Sequence, residues 1–597
     1  MRFAQLSRRV LSSAKLACTL MLAMVSIPVM AQTVVGEMLA ERLQSRGPAA
    51  DLQPARAHLG ASAPMHQFRA SQPESSAALR ALAAHNRARV SPLQNGFKRA
   101  LPGPLRLRLS AQKARDSAND GTSLSQEQIG MMATLADGTR VWTGTVAVER
   151  AWRLRMLMGI LNLPAEALMW VEDASGNRSR PFGTELADSN GQLWTPSVAG
   201  PTIRIRIQLP AGSDSLDITF QAVSELFQLD AAGQPVTAAS ATPADGCIED
   251  AQCFSSTTFS AIDEVRKAIA RIMFQVGNSS YLCTAGLLND TDTSTAIPYL
   301  LTANHCFESE QSAASLEAWW DYTSAICNGA SPSLASLPRS NGATLLASDP
   351  VGDYTLVQLN GIPSGRWLLG WSNEPIADGT VLNRISHPQG GKQSFSQSTF
   401  SNALPSCEGL SRADFLYSAP TLGGTLGGSS GSPIMLDSGQ VVGQLYGACG
   451  PNPSDACDPE NADVDGAMAS FFSAVSQWLD PGPGCVYELT QPDGGESWEQ
   501  ASSELITWTA TGTGCADTVR IHLYRADNQE LVIRGATAND GKYRWNIPAD
   551  LAAGSNFRVR VIDTDNPEFW GQSTSDFTIT AAPPPDPTVF KNGFEQN

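Results

Sequence analysis

The sequence predicts an all-β protein of several domains, with a double β-barrel at its centre. Three observations carry that expectation. The chain has 597 residues, too many for one core. Its apolar residues fall in short alternating runs separated by turns, the pattern of half-buried strands. Its cysteines are bunched: eight of the 11 lie between Cys247 and Cys457 and none between 32 and 246, which sets 246–480 apart from its flanks.

At the N-terminus, Arg2, Arg8, Arg9 and Lys15 precede an apolar run from Leu16 to Met30 that ends in Val29-Met30-Ala31. A basic n-region, an apolar h-region and a small-residue cleavage site make residues 1–31 an export signal, cut after Ala31. A membrane anchor is the alternative. The run is short for a span and no stop-transfer pattern follows, so the mature form is expected to have no membrane span. The apolar stretch Trp152 to Val171 is interrupted by Arg153, Arg155, Pro164 and Glu166. Residues 32–135, rich in Ala, Arg, Ser and Pro, predict an N-terminal segment of low order with helical stretches such as Ser75 to Arg89. From Val141 to about Gln228 the pattern turns to strands. Thr202-Ile203-Arg204-Ile205-Arg206-Ile207-Gln208-Leu209 alternates with period two, and 136–245 predicts a small β-sandwich. The Ala/Thr/Pro-rich stretch Thr237 to Gly246 reads as a cleavable linker.

In 246–480 the strands are short and turn-separated, with helices expected at Glu264 to Phe274 and Ala467 to Leu479. After Pro481-Gly482-Pro483-Gly484, the alternating runs Leu505–Trp508, Val519–Tyr524 and Phe557–Ile562 predict a β-sandwich over 485–580. Residues 581–597 form a stiff Pro-rich tail.

Composition narrows the function. Charged residues are 17% and hydrophobic ones 42%, as in a globular chain, and the formal net charge of -17 argues against nucleic acid as a partner. Once Cys18 leaves with the signal an even ten cysteines remain. With no CxxC pairs or His/Cys clusters, disulfides in an oxidising compartment explain them better than metal, and no cofactor or metal is expected.

The chemistry is concentrated in Gly427-Gly428-Ser429-Ser430-Gly431-Ser432-Pro433. Glycines at this density let the backbone turn sharply and aim N–H groups at one point. A nucleophilic serine needs such a turn, with donors aimed at the developing oxyanion. If Ser430 is that serine, the N–H groups of Gly428 and Ser430 are the donors. The plainer reading is a Gly/Ser surface loop. Two further stretches favour catalysis: Leu300-Leu301-Thr302-Ala303-Asn304-His305-Cys306, and Val351-Gly352-Asp353-Tyr354 opening an alternating strand. A serine hydroxyl needs an adjacent base, histidine titrates near neutrality, and an aspartate orients the imidazole. His305 is the candidate base and acid, Asp353 its orienter and Ser430 the nucleophile. His387, in a turn-like Ser386-His387-Pro388 context, is read as structural.

With these three motifs in the order His, Asp, Ser, residues 245 to 480 resemble the chymotrypsin-like serine peptidases, and specifically their bacterial lysyl endopeptidase branch. The resemblance implies a trypsin-like double barrel that hydrolyses proteins or peptides and is made as a proenzyme. The region before it would then be a pro-region, acting as inhibitor or folding aid; an accessory domain that stays attached is the alternative. The resemblance also implies the pairs Cys283–Cys306 and Cys253–Cys327. It pairs Cys247 with Cys449 or Cys457 and leaves Cys407 for the other, with Cys485–Cys515 separate. Trypsin carries its pocket acid six residues before the nucleophile, where this chain has Gly424. The lysyl endopeptidase pocket acid lies in a D-x-x-G stretch, matched by Asp463-Val464-Asp465-Gly466, so Asp463 is the candidate for a substrate lysine. A solvated acidic loop is the competing reading. The branch's histidine on the preceding strand is replaced by Tyr446, and its pocket tryptophan has no counterpart.

Pro492-Asp493-Gly494-Gly495-Glu496-Ser497-Trp498 and Asn539-Asp540-Gly541-Lys542-Tyr543-Arg544-Trp545 resemble Ig-like repeats of secreted microbial proteins. Three functions are therefore weighed: a secreted serine endopeptidase, an inactive peptidase-fold protein that binds peptides, and a surface-adhesion protein whose C-terminal domain binds wall polysaccharide.

Overall fold

The computed structural model describes residues 32–39, 67–69, 76–87, 92–109 and 130–582, apart from short breaks at 150, 165, 214, 230–234, 237–245, 293–294, 454, 482–483, 513, 527 and 568. The export signal, most of the linker and the Pro-rich tail lie outside these residues.

A curled half-barrel, called the first barrel, and a closed second barrel form the centre. In the second, strands Val381–Ser386, Ser394–Phe400, Phe415–Leu422, Pro433–Met435, Val441–Cys449 and Ala462–Ala467 close into a six-stranded ring, completed by pairing of Val441–Cys449 with Ala462–Ala467. The first is a curled half-barrel in which Ile269–Val276, Ser279–Leu288, Tyr299–Ala303, Tyr354–Leu359 and Ala343–Asp349 pair in succession. A shared core joins them, with Leu287, Leu301, Leu356, Trp371, Ile385 and Met435 buried together.

The helix expected over Glu264 to Phe274 is shorter and starts earlier. Ile262–Ala268 is helical, and Ile269–Val276 is a fully paired strand. The run Ile269-Ala270-Arg271-Ile272-Met273-Phe274 is buried on both faces, so neither period shows in it. The helix Met468–Leu479 falls where the pattern put it and buries Phe471, Phe472 and Val475.

The block before the barrels contains more strand than its composition advertises. Besides the helix Ser76–Arg87, its N-terminal part holds the long strand Leu93–Leu109. Its second half, Leu105-Arg106-Leu107-Arg108-Leu109, alternates cleanly and joins Leu216–Leu226 in the β-sandwich. Its first half pairs with Ala222–Leu226 of the sandwich on one side and with Ser279–Leu282 of the first barrel on the other. The sandwich and the barrel thus share one twelve-stranded sheet. The second sheet of the sandwich holds Thr202–Leu209, whose Ile203, Ile205 and Ile207 point inward while Arg204 and Arg206 bond to buried Glu172 at 3.1 and 2.9 Å.

The C-terminal domain is a separate two-sheet sandwich around Trp498, Trp508, Trp545 and Phe557. Its conspicuous tryptophans are therefore core. The exposed Trp570 is covered by the Arg560 guanidinium, 3.9 Å from the ring centre. Five disulfides are present: Cys283–Cys306, Cys253–Cys327, Cys247–Cys457, Cys407–Cys449 and Cys485–Cys515. Among the described residues no helix is long and apolar enough to cross a membrane.

Candidate active site

His305 follows the strand Tyr299–Ala303, and Asp353 sits just before its partner strand Tyr354–Leu359. The antiparallel register sets Ala303 opposite Tyr354, which brings the two side chains to one corner. Asp353 accepts the His305 backbone N–H at 2.8 Å and lies 2.7 Å from Nδ1. One carboxylate therefore fixes both the loop and the ring. Asp353 reaches this corner with φ of 50°, the left-handed region an aspartate tolerates better than most residues. Gln444 of the second barrel donates to the carbonyls of Gly352 and Asp353, each at 2.8 Å, and ties the corner across the seam. The Tyr446 ring stands edge-on to His305, 5.7 Å between centres.

The serine loop separates its three hydroxyls by environment. Ser429 is fully buried and takes a hydrogen bond from Ser386 at 3.1 Å. Ser432 is fully buried and is bonded by Arg384 at 3.2 Å. Ser430, between them, is partly exposed. Gly428 has φ of +95°, and a Cβ there would lie 2.8 Å from the His387 carbonyl, so only glycine fits.

Thr284 links this loop to the histidine strand, and sequence reasoning missed it. Its N–H donates to the Ser430 carbonyl (2.9 Å) and its hydroxyl to the Gly428 carbonyl (2.8 Å). The same hydroxyl accepts from His387 N–H (3.0 Å), and its carbonyl accepts from Thr302, three residues before His305 (2.9 Å). A Cβ on Gly431 would collide with that Thr302 hydroxyl, so the serine loop lies against the histidine strand. Only its place beside Cys283 hinted at this role. His387 is structural, as its turn-like context suggests: fully buried, bonded to the Gly391 carbonyl at 2.8 Å, and pushed down to about 3 by burial.

Asp463 is the second residue of the strand Ala462–Ala467 and is buried, so the solvated-loop reading fails. It accepts a long hydrogen bond, 3.4 Å, from the hydroxyl of Thr425, five residues before Ser430. Burial pushes its carboxyl up to about 6, although Arg384 pulls the other way. Neighbouring Asp465 takes that arginine directly, at 2.6 Å. Gly424 has no room for an acid, since a Cβ there would lie 2.7 Å from the Ala456 carbonyl.

The strand Leu93–Leu109 reaches this site. Leu93 pairs with Leu282, two residues from Thr284 on the same strand. Its side chain is buried with Met273, Leu282 and Trp319 and comes within 3.5 Å of where a Cβ on Gly427 would stand.

Family comparison agrees with this layout. The description "lysyl endopeptidase, C-terminal domain" matches residues 242–463, "lysyl endopeptidase N-terminal domain" matches 67–226, and "Kre9/KNH-like N-terminal Ig-like domain" matches 491–579. A lysyl endopeptidase of Pseudomonas aeruginosa is 27% identical over 350 residues, covering 57% of this chain and 73% of that protein. A protease of M. tuberculosis in its active form aligns at 15% identity and TM-score 0.27, over 40% of this chain and 92% of its own. The MamO protease domain of Magnetospirillum magneticum aligns at 13% and 0.24, over 35% and 97%. Structural likenesses that slight bear no weight.

Proposed function

We propose that this chain, a lysyl-endopeptidase-like serine protease with that family's N- and C-terminal domains and an Ig-like domain behind them, cleaves proteins through an acyl-enzyme formed on Ser430. His305 takes the Ser430 proton as the hydroxyl attacks the scissile carbonyl, then delivers it to the leaving amine. Asp353 keeps Nδ1 protonated and turned, so that Nε2 is the basic nitrogen, and it stabilises the imidazolium. The N–H groups of Gly428 and Ser430 receive the oxyanion. Water then repeats the sequence on the ester. The observation that carries this reading is the partly exposed Ser430 between two buried serines, on a loop bonded through Thr284 and Thr302 to the strand that ends at the His305–Asp353 pair.

Asp463 would receive a substrate lysine ammonium. The support is chemical: a buried carboxylate that its neighbours leave short of positive charge gains most from an incoming cation.

The pro-region would act as inhibitor. Its strand occupies the Ser279–Leu282 edge, two residues from the Thr284 that bonds the Ser430 loop, and so withholds that edge from an extended substrate strand. Cutting the linker before Cys247 would free that edge. The five disulfides and the basic–apolar N-terminus support a secreted location, outside the cell or in the periplasm.

The test is fluorophosphonate labelling before and after the pro-region is removed. The matured protein is expected to take label at Ser430, and the proenzyme far less. A matured, folded protein that takes no label would sink the enzyme reading in favour of a peptide-binding homologue.

A further inference from the structure

The first described residues pair with the catalytic domain. Thr33–Val34 pairs antiparallel with Trp371–Ser372, and Glu37–Met38 with Trp367–Leu368. Gln32 and Asn373 exchange two bonds: Gln32 N–H to the Asn373 side chain at 2.5 Å, and Asn373 N–H to the Gln32 carbonyl at 3.2 Å. Leu39 donates its N–H to Arg366 at 3.1 Å and is buried within the peptidase core. A segment that opens the chain after the expected signal cleavage is thus built into the catalytic domain.

What it covers is the crossover between the two barrels. On one side Leu369 N–H bonds to Leu287 (2.9 Å) and Asn289 N–H to Leu369 (2.8 Å), both contacts with the first barrel. On the other, Val441 N–H of the second barrel bonds to Gly370 (2.9 Å). The N-terminal segment adds a tie to each. Asn289 of the first barrel donates to the Val35 carbonyl at 2.9 Å, and Gln440 of the second donates to the Val34 carbonyl at 3.0 Å. The approach is close enough to require glycine twice: a Cβ on Gly370 would strike the Val34 carbonyl oxygen, and one on Gly36 the Trp367 indole.

We propose that Gln32–Leu39 is a lasting strand of the catalytic unit, an inter-barrel staple that stays on the peptidase domain after the pro-domain is cut away. The candidate His305 and Asp353 stand on one barrel and Ser430 on the other, so the staple is a positioning segment that acts through the seam between them. Main-chain pairing holds it and the Leu39 side chain anchors it, as in strand addition generally. This role goes beyond the peptidase reading.

Retention is tested first, without hydrolysis. Ser430→Ala proenzyme with engineered cleavage sites within 40–66 and 237–246 is cut by an added protease. The peptidase domain is purified under native conditions and its mass read before and after acid. The expected result is a fragment beginning at Gln32, present one-to-one and released only on denaturation. A folded peptidase domain without that fragment overturns the proposal.

Positioning is tested with active enzyme carrying the same sites and stripped of the staple. Its kcat is expected to fall by about tenfold or more, because misalignment between reacting groups is costly, with KM little changed. Synthetic Gln32–Leu39 peptide restores kcat, and a peptide carrying Leu39→Asp does not. A stripped domain that is folded and fully active, or one that neither peptide restores, also overturns it.

Discussion

Asp353 and Asp463 are both buried carboxylates within one peptidase domain, yet their surroundings differ in kind. Asp353 is matched donor for donor by His305, through the backbone at 2.8 Å and the ring at 2.7 Å. Asp463 has only a long contact to the Thr425 hydroxyl, and the nearest cation, Arg384, is already bonded to Asp465. Burial therefore governs Asp463 and holds it up at about 6. A carboxylate satisfied from within suits a fixed part of the machinery. One left short of charge suits a socket that a ligand completes.

The largest effect should come where the satisfied corner meets the nucleophile. Ser430→Ala is expected to lower kcat by on the order of 10⁶, the loss typical of a serine triad acting as a unit, while Ser429→Ala at the buried neighbour leaves most activity. Equal losses in steady-state assays of the two variants would erase the distinction drawn between exposed and buried serines. Asp353→Asn should come next, with a loss of about 10⁴ in kcat, because an amide stabilises the wrong imidazole tautomer. A loss carried by KM alone would mean that Asp353 is not the orienter.

Asp463→Asn should behave oppositely in two respects. For substrates with Lys before the cut, kcat/KM falls by about 10²–10³, the 3–5 kcal/mol of a broken buried charge pair, while Leu substrates are unaffected. Stability moves the other way. A carboxyl raised in the native state binds its proton more tightly there than in the unfolded chain. The ionised form thus costs stability as pH rises from about 4 to about 6, and the cost persists above. Removing the charge should stabilise the fold at pH 7 by up to about 3 kcal/mol. Unchanged Lys preference in the Asn variant would end the socket reading.

The pH profile separates the two aspartates without mutation. The ratio of kcat/KM for Lys over Leu substrates cancels the shared catalytic base and leaves the ionisation of Asp463. The ratio should rise through about pH 6 and change by about tenfold between pH 5 and 7. A flat ratio would leave no role for a carboxyl titrating in that range.

These assignments were unequally legible in the sequence. His305, Asp353 and Ser430 stand out because each sits in a short motif, and the antiparallel register brings the first two to one corner. Asp463 drew attention only through a motif, since Asp455, Asp458 and Glu460 nearby are equally acidic and no local signal separates buried from solvated. Thr284 acts through backbone and hydroxyl bonds to residues more than a hundred positions away, which no local pattern encodes. The strand Leu93–Leu109 hid for a different reason: it pairs with both the sandwich and the first barrel, and its first half, with Asn95, Gly96 and Lys98, does not alternate. The staple was hidden because its two-residue strands are too short to show a period and it draws its order from the barrels rather than from its own pattern.

The smallest effect tests the residue that adjoins the corner. Tyr446 stands edge-on to His305 and also packs on Phe415, while its strand pairs with the one that carries Asp463. Tyr446→Phe keeps both ring contacts and removes only the hydroxyl. If the ring serves to wall the imidazole, kcat/KM should stay within about twofold for Lys and Leu substrates alike, the scale of one lost exposed hydrogen bond. A fall confined to Lys substrates would assign the hydroxyl to the socket, as the stand-in for the histidine that the lysyl endopeptidase branch carries there, and the corner and the socket would then share a wall.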